Sequence, residues 1–142
     1  MIALVNARTE QTIASEIEVA DTRGTRRRGL LGRDAIDLAA ALVLAPCWAV
    51  HTAFMRFAID VIFVNEDGCV VRVASRVAPW RVVIARQAYA AIELAAGVTE
   101  SRVVQVGDRL YARSGDGFAS DASLFESVSF RRMAAKPACS GS

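Results

Sequence analysis

The chain has 142 residues, of which 54% are hydrophobic and 23% are charged, and its formal net charge is +2. This length suits one domain with one core, and so large a hydrophobic fraction argues against a disordered chain. A charge so close to balance does not indicate a nucleic-acid-binding surface. The longest apolar run, Leu38–Val50, is too short for a membrane-spanning helix. We therefore expect a folded domain that binds neither nucleic acid nor membrane.

Two further features predict a cytoplasmic location. Residues 1–11 lack the basic and apolar regions of a secretory signal. The three cysteines, Cys47, Cys69 and Cys139, are far apart and odd in number. We therefore expect reduced thiols rather than a disulfide framework.

The first elements along the chain are two short strands and a basic helix. Ile2–Val5 and Ile13–Ala20 flank a polar turn and are typical of a hairpin at a sheet edge. Asp21 or Thr22 then caps a predicted short helix through Arg26–Leu31, with basic residues on its outer face.

A hairpin is the clearest local prediction. Ala58–Val64 alternates as a strand, Asn65–Gly68 supplies turn residues, and Cys69–Val77 alternates as the return strand. The preceding run, Asp37–Ala45, is equally compatible with a helix and with a buried strand, because periodicity does not separate the two in so short a segment.

The last third of the domain is less distinct. Alanine content favours a helix over Gln87–Ala96, although Tyr89–Leu94 is also compatible with a strand. Thr99–Val103 is predicted to form a short helical turn and Arg109–Arg113 a closing strand.

Composition changes near Ser114, where Ser, Gly and Asp become frequent. We therefore predict one domain over residues 1–113 and a Ser/Gly-rich tail over residues 114–142. An apolar patch makes residues 124–130 a candidate docking segment within this tail.

Five separated motifs resemble those of the bacterial and archaeal Domain of Unknown Function family 192, over roughly residues 14–113. They are RRRGLLGR (Arg26–Arg33), HTAFMRFAIDVIFVNEDGCVV (His51–Val71), APWR (Ala78–Arg81), AIELAAG (Ala91–Gly97) and VGDRL (Val106–Leu110). The most diagnostic pattern, hT-x-x-M-x-x-x-I-D-x-x-F, is matched by His51, Thr52, Met55, Ile59, Asp60 and Phe63. The resemblance implies a single compact α+β domain rich in strands, with a curved sheet or small barrel and short helices. It also implies a strand at Tyr89–Leu94, and it implies no reaction and no cofactor.

Asp60 is the most informative residue, because it lies among residues that are typical of a core. A buried polar group needs partners. In a structural role, Asp60 would accept hydrogen bonds from backbone N–H groups or pair with Arg33 or Arg56, and we favour this role. In a functional role, it would position a ligand amine or act as a base.

His51 is the only histidine of the chain and the natural general acid or base. Positions 51 and 60 are separated by an odd number of residues, so in one uninterrupted strand they would face opposite ways. Coupling between His51 and Asp60 therefore requires a bend between Met55 and Ala58. A metal site is not predicted, because Cys47 and His51 alone supply too few ligands.

The arginines inside the motifs predict an anion-binding site. Arg33, Arg56 and Arg81 would meet an anion if the fold brings them together, and Trp80 would form a wall of the pocket. Glu93 is a second carboxylate in an apolar setting. It would pair with Asp60 if the two lie on neighbouring strands, but we expect it to face solvent at a sheet edge.

Two functions remain open. The favoured hypothesis is a binding or accessory domain with a pocket near His51 and Asp60 for a small anionic ligand or a peptide. Its predicted ligand-binding residues are Arg33, His51, Thr52, Met55, Arg56, Asp60, Trp80 and Arg81. The alternative is a hydrolase-like enzyme with His51 as general base and Asp60 as the group that orients it. Neither the ligand nor the oligomeric state follows from the sequence.

Overall fold

The computed structural model of the chain describes residues 2–20, 22–24, 30 and 32–114. Nearly all of the predicted basic helix, and the candidate docking segment at residues 124–130, lie outside these ranges. Within them, no helix has the length and apolarity needed to cross a membrane.

The described residues form ten strands and one short helix. In chain order these are β1 (Ile2–Asn6), β2 (Thr12–Ala14), β3 (Glu16–Ala20), β4 (Ala40–Leu44), β5 (Ala49–His51), β6 (Ile59–Val64), β7 (Val70–Val77), β8 (Val82–Ile84), β9 (Ala90–Ala95), α1 (Val98–Ser101) and β10 (Leu110–Ser114).

Three sheets make up the fold. The central sheet has five strands in the order β3-β4-β9-β6-β7, and β9 is its middle strand. All of its pairs are antiparallel except β3 with β4. A three-stranded antiparallel sheet has the order β10-β1-β2, and β5 pairs with β8 in a separate antiparallel ribbon.

Both faces of the central sheet are covered, so its strands are apolar on both sides. One face packs against the three-stranded sheet and α1 through residues such as Leu4, Ile62 and Ile92. We call this the first face. The second face packs against the ribbon through Val50 and Val83.

The strand-rich architecture predicted from the sequence is confirmed, and the hairpin formed by β6 and β7 is where the alternation predicted it. The ambiguous run Asp37–Ala45 contains strand β4, and the strand implied by the family resemblance near Tyr89–Leu94 is β9. The α+β class and the small barrel are not confirmed: the sheets are open, and the one helix of the described residues has four residues.

Two expectations are wrong. Ile13–Ala20 is not one strand, because the backbone N–H groups of Ser15 and Glu16 both donate to the Ala39 carbonyl, and the chain there passes from one sheet into another. The expectation of reduced thiols fails at Cys69, which is disulfide-bonded, but holds at Cys47, whose thiol is reduced.

Candidate functional site

Asp60 is fully buried on the first face, and four donors satisfy its carboxylate. Oδ1 accepts a hydrogen bond from the Arg76 backbone N–H at 2.8 Å. Oδ2 accepts from the N–H groups of Gly97 and Thr99 at 3.1 and 2.9 Å and from the Thr99 hydroxyl at 2.6 Å. The arginines considered as its partners bind elsewhere: Arg33 pairs with Glu18 and Arg56 with Asp34. Asp60 therefore joins β6 to β7 and to the first turn of α1.

A local irregularity makes the Arg76 donor available. The register between β6 and β7 shifts between Ile59 and Val61, which is the signature of a β-bulge. Arg76 lies in this bulge with φ of 51°, so its N–H points at Asp60 instead of at the sheet ladder. The buried carboxylate thus fixes a strained segment of backbone.

His51 ends β5 on the solvent side of the ribbon and lies opposite Val82. The chain does turn between His51 and Asp60, since residues 52–58 form no strand. The turn leads the two side chains to different parts of the molecule: the ribbon covers the second face, and Asp60 belongs to the first. Among the described residues, no hydrogen bond joins them.

Thr52 is the buried polar centre of the loops that follow β5 and β7. Its hydroxyl donates to the Ala78 carbonyl at 2.7 Å and accepts from the Arg81 backbone N–H at 2.9 Å. Its own N–H donates to the Arg81 carbonyl, and its carbonyl accepts from the Trp80 N–H at 3.0 Å. These bonds hold the two loops against each other.

The loops fixed by Thr52 present large apolar side chains to solvent. Phe54 is 72% exposed and Trp80 is 61% exposed, and their rings meet edge to face with centroids 4.6 Å apart. Both residues have left-handed backbone, with φ of 64° and 66°. Val82 and Ile84 continue the exposed apolar surface along β8. We call these four residues the apolar ridge.

The remaining predicted site residues are distributed around the ridge and beyond it. Arg81 is exposed between Trp80 and Val82, and Met55 is buried against the second face. Arg56 is mostly exposed and donates to Asp34 at 2.6 Å. Arg33 donates to Glu18 on the edge strand β3. The structure thus brings His51, Trp80 and Arg81 into one region and leaves Arg33 and Asp60 outside it.

Glu93 lies in the centre of the second face, and the expectation that it faces solvent at a sheet edge is wrong. It belongs to the middle strand β9, opposite Leu42 and Val61, and is only 4% exposed. Its Oε2 atom has no hydrogen-bond partner. Asp60 pairs in register with Leu94, the residue after Glu93. The two carboxylates therefore lie on neighbouring strands but point to opposite faces.

Burial raises the pKa of Glu93 from its ordinary value of 4.5 to about 7, and the nearby positive charge of Arg33 partly opposes this rise. A carboxyl group with such a pKa exchanges a proton near neutrality. Glu93 is therefore the described residue whose chemistry departs most from that of an ordinary core position.

Sequence reasoning placed Glu93 wrongly and missed Phe54. Glu93 had a usable signal, because Ala91, Glu93 and Ala95 alternate on one side of a strand whose other side is apolar. Phe54 had no such signal in the sequence, since left-handed backbone at a phenylalanine is visible only in the structure.

No group of three or more His, Cys, Asp or Glu side chains that could hold a metal occurs among the described residues.

The comparisons with known proteins agree with the motifs. The family model DUF192, described as "Uncharacterized ACR", matches residues 4–112, so the resemblance noted in the sequence is confirmed. No curated protein matches the chain.

Two solved structures share the fold. A protein of unknown function from Novosphingobium aromaticivorans DSM 12444 is 18% identical, with a TM-score of 0.67 over 77% of this chain and 81% of its own. A protein from Sinorhizobium meliloti 1021, described as a candidate transcription regulator, is 21% identical, with a TM-score of 0.68 over 82% of this chain and 93% of its own. At these identities the likeness shows the fold alone.

Proposed function

The chain belongs to the DUF192 family, and we propose that it is a peptide-binding module that recognises an apolar, acidic peptide on the apolar ridge. The observation that carries this proposal is the exposed pair Phe54 and Trp80, each held in left-handed backbone.

Physical cost supports the ridge as a binding surface. A non-glycine residue in left-handed backbone costs on the order of 1 kcal/mol or more, and an exposed aromatic ring recovers little of this cost by burial. Here two such residues are adjacent, and the buried Thr52 holds both loops through its hydrogen bonds. Aromatic side chains fixed in advance lose little conformational entropy when a partner covers them.

Charge around the ridge favours an acidic partner. Arg81 and Arg86 are exposed at the two ends of β8, and Arg72 reaches the same strand by donating to the Ile84 carbonyl at 2.6 Å. Positive side chains beside an apolar surface favour a peptide that alternates apolar and acidic residues. The same charges would attract the small anion that the sequence also suggests, so the experiment includes one.

Trp80 fluorescence tests the proposal directly. The chain has two tryptophans, and Trp48→Phe leaves Trp80 as the single reporter. Two synthetic peptides of equal length would be added to the full chain, with the same Leu, Phe and Val residues but with Glu in one and Lys in the other. We expect the Glu peptide to shift the emission and to bind at least about tenfold more tightly than the Lys peptide.

Matched variants locate the binding surface. Phe54→Ser should weaken the Glu peptide at least about tenfold, whereas Val106→Ser removes another exposed apolar side chain and should leave binding unchanged. Equal binding of the two peptides, or no effect of Phe54→Ser, would refute the proposal. An equal emission change with inorganic phosphate alone would assign the site to a small anion instead.

A further inference from the structure

Strand β3 is an outer strand of the central sheet, and one side of its backbone has no partner strand among the described residues. The Glu16 N–H group and the Ala20 carbonyl both form hydrogen bonds on the β4 side. The backbone groups of successive strand residues point to opposite sides, so the N–H and C=O groups of Ile17 and Val19 point away from β4. Within the described part of the chain, nothing pairs with them.

An open cavity runs along this free edge. Its volume is about 530 Å³, and its wall includes the successive residues 15–19 together with Arg33 and Ile36. Side chains of successive strand residues point to opposite faces of a sheet, so a cavity lined by all of them lies beside the edge of the strand. The free backbone groups therefore face a space of the size that ligands occupy.

The side chains of β3 differ in chemistry between the two faces of the sheet. Ile17 and Val19 are half-buried and pack against the core of the first face. Glu16 and Glu18 alternate with them, so they lie on the side of the second face, and both are exposed. A chain that pairs with this edge therefore meets aliphatic side chains on one face and carboxylates on the other.

Charge selects the partner. The described wall of the cavity has three carboxylates, those of Glu16, Glu18 and Asp37, and one guanidinium, that of Arg33, which pairs with Glu18 at 2.9 Å. This excess of negative charge favours a basic partner. A second copy of the chain paired through β3 would place glutamates opposite glutamates, and like charges in cross-strand pairs are destabilising.

We propose that β3 binds an extended basic peptide, which adds to the central sheet as an antiparallel strand. In such a pair, directly opposite residues exchange both backbone hydrogen bonds. The peptide residues opposite Ile17 and Val19 therefore make these bonds and carry aliphatic side chains, and the residues between them carry Lys or Arg beside Glu16 and Glu18. This surface is separate from the apolar ridge, which binds an acidic peptide.

Capped synthetic peptides that alternate Lys with Val test the partner class. Calorimetric titration of the full chain should show the Lys peptide binding at least about tenfold more tightly than a peptide that alternates Glu with Val. Two further Lys peptides carry equal numbers of N-methyl groups, either on the Val amides, which face β3, or on the Lys amides, which face solvent. Methylation of the Val amides should weaken binding at least about tenfold more than methylation of the Lys amides. Undetectable binding of the Lys peptide at millimolar concentration overturns the proposal, as does equal weakening by the two methylation patterns.

Amide hydrogen exchange followed by NMR locates the bound strand. The Ile17 and Val19 N–H groups should exchange at least about tenfold more slowly when the Lys peptide is present. The Glu18 N–H group faces β4 and should change little. Protection of Ile17 and Val19 before any peptide is added overturns the proposal, and a dimeric mass in light scattering would then assign the edge to a second copy of the chain.

A charge reversal with a matched control tests the acidic side of the edge. Glu16→Lys should weaken the Lys peptide about fivefold or more. Glu66→Lys makes the same change outside the cavity wall and should leave the affinity within about twofold. Far-ultraviolet circular dichroism checks that each variant is folded, and equal effects of the two changes overturn the proposal. Phe54→Ser should leave the Lys peptide unaffected, so failure at the edge and failure at the apolar ridge are distinguishable.

Discussion

Asp60 and Glu93 are two buried carboxylates on neighbouring strands, and their surroundings are opposite. Asp60 accepts four hydrogen bonds, three of them from backbone N–H groups. Glu93 has an oxygen with no partner at all. This difference in hydrogen bonding follows from where each carboxylate lies in the sheet. Backbone donors are available where regular pairing stops, as at the Arg76 bulge and the first turn of α1. In the middle of a sheet, neighbouring strands use every N–H group.

Removal of Asp60 should have the largest effect on stability. Asp60→Ala leaves the backbone N–H groups of Arg76, Gly97 and Thr99 without an acceptor, at a cost of at least about 1 kcal/mol each. We expect the free energy of unfolding in urea to fall by about 3 kcal/mol or more. Asp34→Ala is the matched control on an exposed ion pair and should cost less than about 1 kcal/mol. Similar losses in the two variants would contradict a structural role for Asp60.

Replacement of Glu93 should instead stabilise the protein, and only at higher pH. The pKa of Glu93 is about 7 in the folded state against 4.5 ordinarily. At a pH between these two values, the folded state therefore retains a proton on Glu93 that the unfolded state has lost. The free energy of unfolding falls as the pH rises through this window. Glu93→Gln removes this loss of unfolding free energy, which amounts to about 3 kcal/mol above pH 7.

Urea unfolding of native protein and Glu93→Gln at several pH values checks this effect. The two curves should converge near a pH of about 4 and diverge as the pH approaches about 8. A difference that is constant across this range would show that Glu93 does not titrate as its burial requires.

Replacement of Thr52, the buried polar centre of the two loops, should have an intermediate effect on stability. Thr52→Val keeps the shape of the side chain but removes a hydroxyl that makes two short hydrogen bonds. We expect a loss of about 1–2 kcal/mol in unfolding free energy and a change in Trp80 fluorescence, because the loop that holds the ridge loosens. Thr52→Ser keeps the hydroxyl and should retain the native emission. Native emission in Thr52→Val would show that Thr52 does not hold the ridge.

Asp108 extends the comparison to a carboxylate with partly exposed partners. Burial raises its pKa, but hydrogen bonds from Arg8, the Gln105 N–H group and Asn6 outweigh this effect and hold the pKa below 3.8. The resulting stability is present above pH 3.8 and is lost as the pH falls through the lowered pKa.

Removal of the Arg8 partner should give the smallest effect, because Arg8 is half-exposed and solvent screens the pair. Arg8→Met should lower the stability only slightly at neutral pH, and this loss should shrink in acid, where Asp108 is protonated. Thermal unfolding at neutral and acid pH checks this expectation. A loss that stays the same in acid would show that Arg8 acts through packing or through its hydrogen bond to the Val103 carbonyl, rather than through its charge pair with Asp108.

Much of the fold follows from local pattern. Alternation and turn residues predicted the β6 and β7 hairpin, because side chains on a strand alternate with a period of two. The sequence also predicted that Asp60 needs partners, and backbone amides were among the candidates. The position of Glu93 was mispredicted, since strand order across a sheet depends on long-range pairing that no local window contains. The ridge was missed in part because left-handed backbone at Phe54 has no signal in residue type.

The comparison of the two carboxylates depends most directly on the charge state of Glu93. Carboxyl carbon NMR of selectively labelled full-length protein, with Glu93→Gln to assign the resonance, measures it. The structure predicts a titration midpoint of about 7 for Glu93. A midpoint near the ordinary value of 4.5 would show that the carboxyl group is solvated or paired, and it would contradict the account of an unpartnered acceptor in the centre of the sheet.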